Sequence, residues 1–337
     1  MKYSAIDLHS NNSVILVSDE ADRVLCKRRV PNELAAVLAV LEPHRGELVG
    51  VVVESTYNWY WLVDGLQAAR YRVHLANTAA IKQYEGLKHS NDDSDAAHLA
   101  QLLRLGILPT GYICAPQERA LRDLARKRLQ LTRSRTSQIL AVESMVARHT
   151  GGRINAAAVK QMTRADIEAL GQREEVTLAM AANVAVIGAL SAQIEKLEAC
   201  LRERVKSRAE FEVLTSTPGI GDILATTIML ETGTIERFAN VGNFASYARC
   251  VDSKRVSNGK NKGEGNVKNG NRYLAWAFIE AANFARRYCP QAKRFYERKK
   301  ARTNNIVATK ALAHKLARAC YHMLKQRAPF DVKRCFA

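Results

Sequence analysis

Four carboxylates in the N-terminal part of the chain have the types and spacing for metal-assisted chemistry on a phosphodiester. Asp7 lies inside a strand-like run, Ile6-Asp7-Leu8, and Glu54 ends the apolar run 48–53 (LVGVVV). Asp92 and Asp95 stand three apart at the start of a helical stretch, so they share one face. A carboxylate in or just beyond a core strand suffers burial and like-charge cost unless a cation compensates it. The spacing D-x(46)-E-x(37)-D-x-x-D predicts a site for one or two Mg2+ ions, which would activate a nucleophile and neutralise charge developing on a phosphate. Each acid also fits a structural role: Asp7 before a hairpin turn, Glu54 as a helix cap, and Asp92, Asp93 and Asp95 at a positive helix end. His9 and His98 neighbour the acids and read as surface or packing residues.

A second constellation sits near the other end. Residues 252–271, DSKRVSNGKNKGEGNVKNGN, carry Lys254, Arg255, Lys260, Lys262 and Lys268. The segment is too glycine-rich for a helix interior and too basic for a core, so it reads as a flexible phosphate-binding loop. Ser257, between Arg255 and Lys260, could act there as a nucleophile, because cations stabilise an attacking alkoxide and a transferring phosphoryl group. Taken alone, such a serine is more often a polar surface residue. Upstream, Thr217-Pro218-Gly219-Ile220-Gly221 precedes an Ala-rich helix and resembles the turn of a helix-hairpin-helix. Gly219 and Gly221 would let backbone N–H groups approach a phosphate at a helix terminus. Arg119, Arg122 and Arg126 share a helical face, and a second basic tract at 286–302 includes Lys299 and Lys300. With Arg272, these read as phosphate-contacting stripes, or individually as solvated helix faces.

The elements that must position these groups follow from periodicity. Strands are expected at 3–8, 14–17, 24–30, 48–53 and 72–76, with helices after Pro31, at 59–69, near 78–84 and at 93–105. That order fits an α/β domain, a mixed sheet covered by helices, and is compatible with a ribonuclease-H-like fold without being unique to it. Long helical runs at 117–148 and 174–208 suggest two antiparallel helices, a coiled-coil arm that could serve dimerisation. The apolar stripe of the second run reads as Leu178, Val184, Leu190, Ile194, Leu197 and Leu201. Helices near 222–231, 240–249, 272–286, 291–300 and 303–325 complete a mainly α-helical end. The expected division is 1–112, 113–208 and 209–327.

Charge follows the same division. The 337 residues carry a net +18, yet residues 1–110 hold 11 Lys/Arg against 13 Asp/Glu, and the remainder 40 against 20. An excess of this size favours a polyanionic partner. No run of 18 apolar residues predicts a membrane span. Seven scattered cysteines without a C-x-x-C pair argue against a disulfide framework or structural zinc and favour a cytoplasmic location.

The motifs together resemble the DEDD-type insertion-sequence transposases, bridge-RNA-guided serine recombinases with a RuvC-like N-terminal domain. I-D-L-H at 6–9, V-V-V-E-S-T at 51–56 and N-D-D-S-D-A-A at 91–97 look like the family's acidic motifs. The 215–221 turn, F-A-S-Y-A at 244–248, S-N-G-K at 257–260 and G-N-R-Y-L at 270–274 look like its C-terminal transposase domain. The resemblance implies that Asp7, Glu54, Asp92 and Asp95 bind Mg2+ and that Ser257 becomes transiently joined to DNA. It also implies donor and target double-stranded DNA, a structured guide RNA, and a homodimer that assembles into a homotetramer. The sequence departs from the family at Asn258, where S-G-G is usual, and at Arg249-Cys250-Val251-Asp252, which lacks the usual proline. A Mg2+-dependent junction endonuclease using water as nucleophile, and a non-catalytic nucleic-acid-binding protein, are the competing readings.

Overall fold

Strand β1 (Lys2–Leu8) is buried along nearly all of its length on both faces, which places it inside a sheet rather than at an edge. In the computed structural model, which describes residues 1–81, 94–251, 254–264 and 269–336, it is the middle strand of five. The others are β2 (Asn12–Asp19), β3 (Val24–Pro31), β4 (Leu48–Glu54) and β5 (Val73–Ala76), in the order β3-β2-β1-β4-β5. β1 pairs antiparallel with β2 and parallel with β4; β2–β3 is antiparallel and β4–β5 parallel. This mixed sheet is the α/β arrangement expected, and it agrees with a ribonuclease-H-like order. The outer strand β3 exposes Arg28 and Arg29, charges that discourage pairing with another sheet.

Helices cover the two faces. α1 (Leu34–Leu41) and α2 (Tyr60–Ala68) pack Val37, Leu41, Leu62 and Leu66 against Ile6, Ile15, Val51 and Val53. After the single turn α3 (Thr78–Ile81), α4 (Ser94–Arg104) packs Ala96, Leu99 and Ala100 on the other face against Tyr3, Ala5, Leu16 and Val52. One polar clamp fixes the far end of α4. Asp22, left-handed at φ 59° in the β2–β3 turn, receives both guanidinium arms of Arg104 at 2.7 and 2.6 Å.

The chain divides into two compact units, Met1–Pro116 and Gln117–Ala337. The second is dominated by α5 (Pro116–Thr150) and α8 (Glu174–Val205). They run antiparallel, because Arg128 meets Glu198 at 2.7 Å while Arg135, seven residues on, meets Ser191 at 3.1 Å. The short helices α6 (Ala156–Gln161) and α7 (Arg164–Glu168) between them were not expected. Local capping makes them: the Asn155 side chain accepts from two backbone N–H groups, and Thr163 with Asp166 forms a capping box.

The expected stripe on α8 holds except at its first residue: Ile194 and Leu201 are buried and Val184, Leu190 and Leu197 half-buried. Its buried residues include Met180, Ile187, Ile194 and Leu201, one per seven, while Leu178 is 65% exposed. α5 and α8 pack as an antiparallel pair of long helices. By length and composition alone α8 is long and apolar enough to cross a membrane, although no unbroken run of 18 apolar residues lies in it.

The rest of this unit is α9 (Ala209–Thr215), α10 (Asp222–Thr232), α11 (Val241–Tyr247), the hairpin β6 (Lys254–Ser257) and β7 (Lys260–Glu264), then α12 (Arg272–Tyr288), α13 (Pro290–Arg302), α14 (Asn305–Gln326) and α15 (Val332–Phe336). Its core is built from Ile228, Phe244, Phe278, Leu312 and Leu316.

Replacing Asp22 by Asn, which tolerates the left-handed backbone, or Arg104 by Gln should each cost about 1 kcal/mol. Amide exchange in α4 should then quicken roughly fivefold, and the double variant should be no faster than either single one.

Candidate functional site

Strand alternation decides where the N-terminal acids point. Tyr3 and Ala5 face α4, so Asp7 does too; Val52 faces α4, so Glu54 does too. The parallel pairing ends at Ile6↔Val53, which leaves Asp7 and Glu54 as adjacent next residues at the ends of neighbouring strands. Asp95 sits in the first turn of α4, the helix covering that same face. Three of the four predicted acids therefore share a face and an end of the sheet, and Asp92, like Asp93, lies outside the described residues.

The turn around the acids is held by side chains that sequence reading passed over. The His9 carbonyl accepts from the side-chain amides of both Asn32 and Asn58, each at 3.0 Å. Thr56 donates to Asn58 at 2.9 Å and its backbone N–H donates to the Glu54 carbonyl. The ends of β1 and β4, and with them Asp7 and Glu54, are thus tied through Asn58. His9, expected to be a bystander, places Nε2 3.4 Å from the Asp7 carboxylate. His98 is buried in α4, as a packing residue would be. Carboxylate oxygens suit a hard cation such as Mg2+. Among the described residues, however, no three His, Cys, Asp or Glu side chains form a group that could hold a metal ion.

Ser257 is the last residue of β6, and Lys260, its partner in register, begins β7. Asn258 and Gly259 between them have φ of 50° and 69°, the two positive values of a type I′ turn. The expected flexible loop is therefore corrected over 254–264: this stretch is a hairpin closed by Asn-Gly. The correction also accounts for Asn258, since asparagine is the side chain best able to replace glycine in the left-handed region.

The base of the segment is closed as well. α11 ends in a Schellman motif, with Cys250 N–H donating to the Ala245 carbonyl and Arg249 N–H to that of Ser246. Arg249 takes the left-handed position at φ 54°, so a backbone turn replaces the missing proline. Its guanidinium donates to the Gly270 carbonyl at 3.0 Å, and Asn271 N–H donates to the Tyr247 carbonyl. Gly270 is required there: its φ is 83°, and a Cβ would fall 2.6 Å from the Tyr247 oxygen.

Asn271 then connects this base to the interior. Its Oδ1 caps α12 and its Nδ2 donates to Glu231 at 2.6 Å. Glu231, whose side chain is 3% exposed, also accepts both arms of Arg126 at 2.6 and 2.7 Å. Burial opposes the charge on Arg126, but the Glu231 hydrogen bonds and charge hold its pKa above the ordinary value. The guanidinium also lies 4.6 Å from the centre of the Tyr273 ring.

Two expectations for the basic body change accordingly. Arg126 is a partner of Glu231 although its side chain keeps 30% exposure, and Arg119 is 2% exposed, so the face shared by Arg119, Arg122 and Arg126 is largely engaged within the protein. Charge alone does not distinguish an arginine stripe on the surface from one that compensates a buried acid. Gly219, at φ 90°, approaches the α12 backbone: a Cβ would lie 2.5 Å from the Ala285 nitrogen and 2.6 Å from the Ala281 oxygen. It serves helix packing, whereas Gly221 faces open space at the start of α10.

Lys260, Lys262, Arg272, Lys299 and Lys300 are exposed. Lys254 and Arg255 lie on β6 beside Ser257, and Lys268 is outside the described residues. A cavity of about 620 Å³ beside the 217–221 turn is bordered by Phe284 and Tyr288, stacked at 6.5 Å on α12. Their i,i+4 spacing around Arg286 and Arg287 was the available signal for this aromatic pair.

Glu231→Ala should cost about 3–5 kcal/mol, because it leaves the Arg126 charge buried without its acid. Thermal unfolding of the full chain should show this as a larger loss than for Glu231→Gln, which retains one acceptor. Gly219→Ala should also fail to give the native helix packing.

Two family models match the chain. A transposase model for the DEDD proteins of IS110 elements covers residues 5–150, and the model for the IS116/IS110/IS902 transposase family covers 211–297. The candidate transposase of the IS117 mini-circle of Streptomyces coelicolor is 22% identical over 99% of this chain and 96% of its own length. An IS110 insertion-element protein of the same organism is 29% identical over 34% of this chain and 28% of its own length. An IS900 protein of Mycobacterium paratuberculosis is 29% identical over 42% and 36%. With its acid-bearing sheet and its hairpin-bearing helical unit matched by models of one family, the chain belongs to the IS110 family of transposases, enzymes that recombine DNA.

Proposed function

We propose that the chain inserts and excises its element by RNA-guided strand exchange through a covalent link between Ser257 and a DNA phosphate. The observation that carries this reading is the mounting of Ser257. It ends β6 directly before a two-residue turn, in a hairpin whose base is fastened at Arg249, Gly270 and Asn271. A nucleophile must be held in a narrow range of positions, and a hairpin on a closed base does this far better than a loop.

In the exchange, the serine oxygen bonds to phosphorus as the bond from phosphorus to one strand end breaks. The phosphoseryl link conserves that bond until another strand's hydroxyl attacks, so no nucleotide cofactor is consumed. Lys254, Arg255, Lys260, Lys262 and Lys268 hold the strand against the hairpin, with Gly221, Arg272, Lys299 and Lys300 extending the contact to more phosphates. Asp7, Glu54, Asp92 and Asp95 would hold Mg2+, which when bound polarises the phosphate and offsets the acids' repulsion of DNA. Asn58 and Asn32 keep Asp7 and Glu54 in register for that role.

The partners in this reading are donor and target double-stranded DNA, a structured guide RNA, and further copies of the chain. Exposed apolar residues on the helical pair, Leu140, Leu178 and Val186, offer a surface for dimerisation, and two dimers would make the tetramer. The working division is a ribonuclease-H-like domain at 1–112, a helical dimerisation region at 113–208 and a transposase domain at 209–327, acting in the cytoplasm.

Purified protein with Mg2+, guide RNA and matched DNA should form a protease-sensitive protein–DNA adduct. Ser257→Ala and Asp7→Asn should each abolish it. Asn258→Gly should retain it, because glycine accepts the same backbone, while Gly259→Val should lose it. Free cleavage products unchanged by Ser257→Ala would instead establish the water-using nuclease.

A further inference from the structure

The last two helices border a second, half-open cavity, of about 280 Å³, far along the sequence from the serine hairpin. Its lining carries Lys315 and Arg318 from α14 and Arg334 from α15, with the His322 ring beside them. Apolar Met323 and Phe330 form much of one wall. The charges are not balanced internally. Among the described residues, Lys315, Arg318 and Arg334 have no salt bridge to a carboxylate, and Arg334 donates only to the neutral Gln326 amide at 2.9 Å. Asp331 is the one acid in the lining, and its Oδ1 accepts the backbone N–H groups of Lys333 and Arg334. Lys315 lies over the Phe295 and Phe336 rings at 5.3 and 5.9 Å, so the two arginines are the cations left facing one carboxylate that is already engaged.

We propose that this cavity is an anion site that receives a phosphate group of a nucleic-acid strand. Its volume falls just below the roughly 300–1,000 Å³ of small-molecule sites, which suits a phosphate with its sugar better than a whole cofactor. Two guanidinium groups offer planar forks for phosphate oxygens, and the apolar wall suits the sugar. His322 reports on the site. Burial, then the Arg334 and Arg318 charges, push its pKa below the ordinary histidine value, and a phosphate beside it would reverse that displacement. The groups around it are Lys315, Arg318 and Tyr321 on α14 with Asp331, Arg334 and Cys335 across the cavity. Burial pushes the Cys335 thiol up to about 11, so it adds no negative charge near neutral pH.

Use of the site by a strand rests on the nucleic-acid reading above, but the cavity's affinity for phosphate does not. The full-length protein is titrated with inorganic phosphate while its histidine ring signals are followed by NMR. The expected result is a saturable shift of His322 and an upward move of its titration midpoint, with His74 of the first unit, whose surroundings include neither arginine, as the internal control. Arg318→Gln/Arg334→Gln should lose this response, and Lys325→Gln/Lys333→Gln, exposed charges outside the lining, should keep it. A His322 signal indifferent to phosphate, or equally responsive in the arginine double variant, would overturn the site. With DNA, the same double variant should lower the salt-dependence slope of binding by about 1. An unchanged slope beside an intact phosphate response would overturn its use by a strand and leave free phosphate as the ligand.

Discussion

One buried carboxylate organises the second unit. Glu231 of α10 is almost wholly removed from water, and its charge is tolerable only because Arg126 of α5 and the Asn271 cap of α12 converge on it. Three helices are fixed relative to one another by that single requirement. Tyr247 of α11 joins through its hydroxyl at 3.4 Å from Asn271 and its carbonyl at the Asn271 N–H. The serine hairpin grows from this junction. A buried polar network of this kind is close to all-or-none, since each member left alone becomes a liability. The motifs F-A-S-Y-A and G-N-R-Y-L are therefore structural mountings for the segment between them.

The first unit solves a related problem by different means. Asp7 and Glu54 stand at strand ends, where the chain is turning and regular pairing has stopped. Regular pairing brings Asp7 and Glu54 to the same level and face. Beyond it, the Asn32 and Asn58 side chains take over by converging on the His9 carbonyl. The Asp22–Arg104 clamp restrains α4 at its far end, while its first turn carries Asp95. Sheet register, amide clamp and ion pair thus act at successive points around one acidic edge.

The strands and long helices were legible because burial imposes a period on sequence. β1 read as an alternating run of strand formers and β4 as a continuous apolar run, and α5, α10, α12 and α14 begin and end near the expected positions. What failed depends on partners distant in sequence. Arg126 looks like a surface cation until Glu231, 105 residues away, is placed beside it. Gly219 looks like a phosphate cradle until α12 passes over it. The hairpin is a different case: Asn258-Gly259 is a strong local turn signal, and the many lysines and glycines around it obscured the short strands.

The two-residue turn carries a consequence for how such a protein can diversify. Position 258 accepts more than one residue, provided the left-handed backbone is satisfied. Turn length has no such freedom. Adding or deleting one residue would slide β7 against β6 and exchange the two faces of the ribbon. Variation among descendants of this chain should therefore accumulate as substitutions in the hairpin, while insertions and deletions are confined to the stretches outside the paired strands.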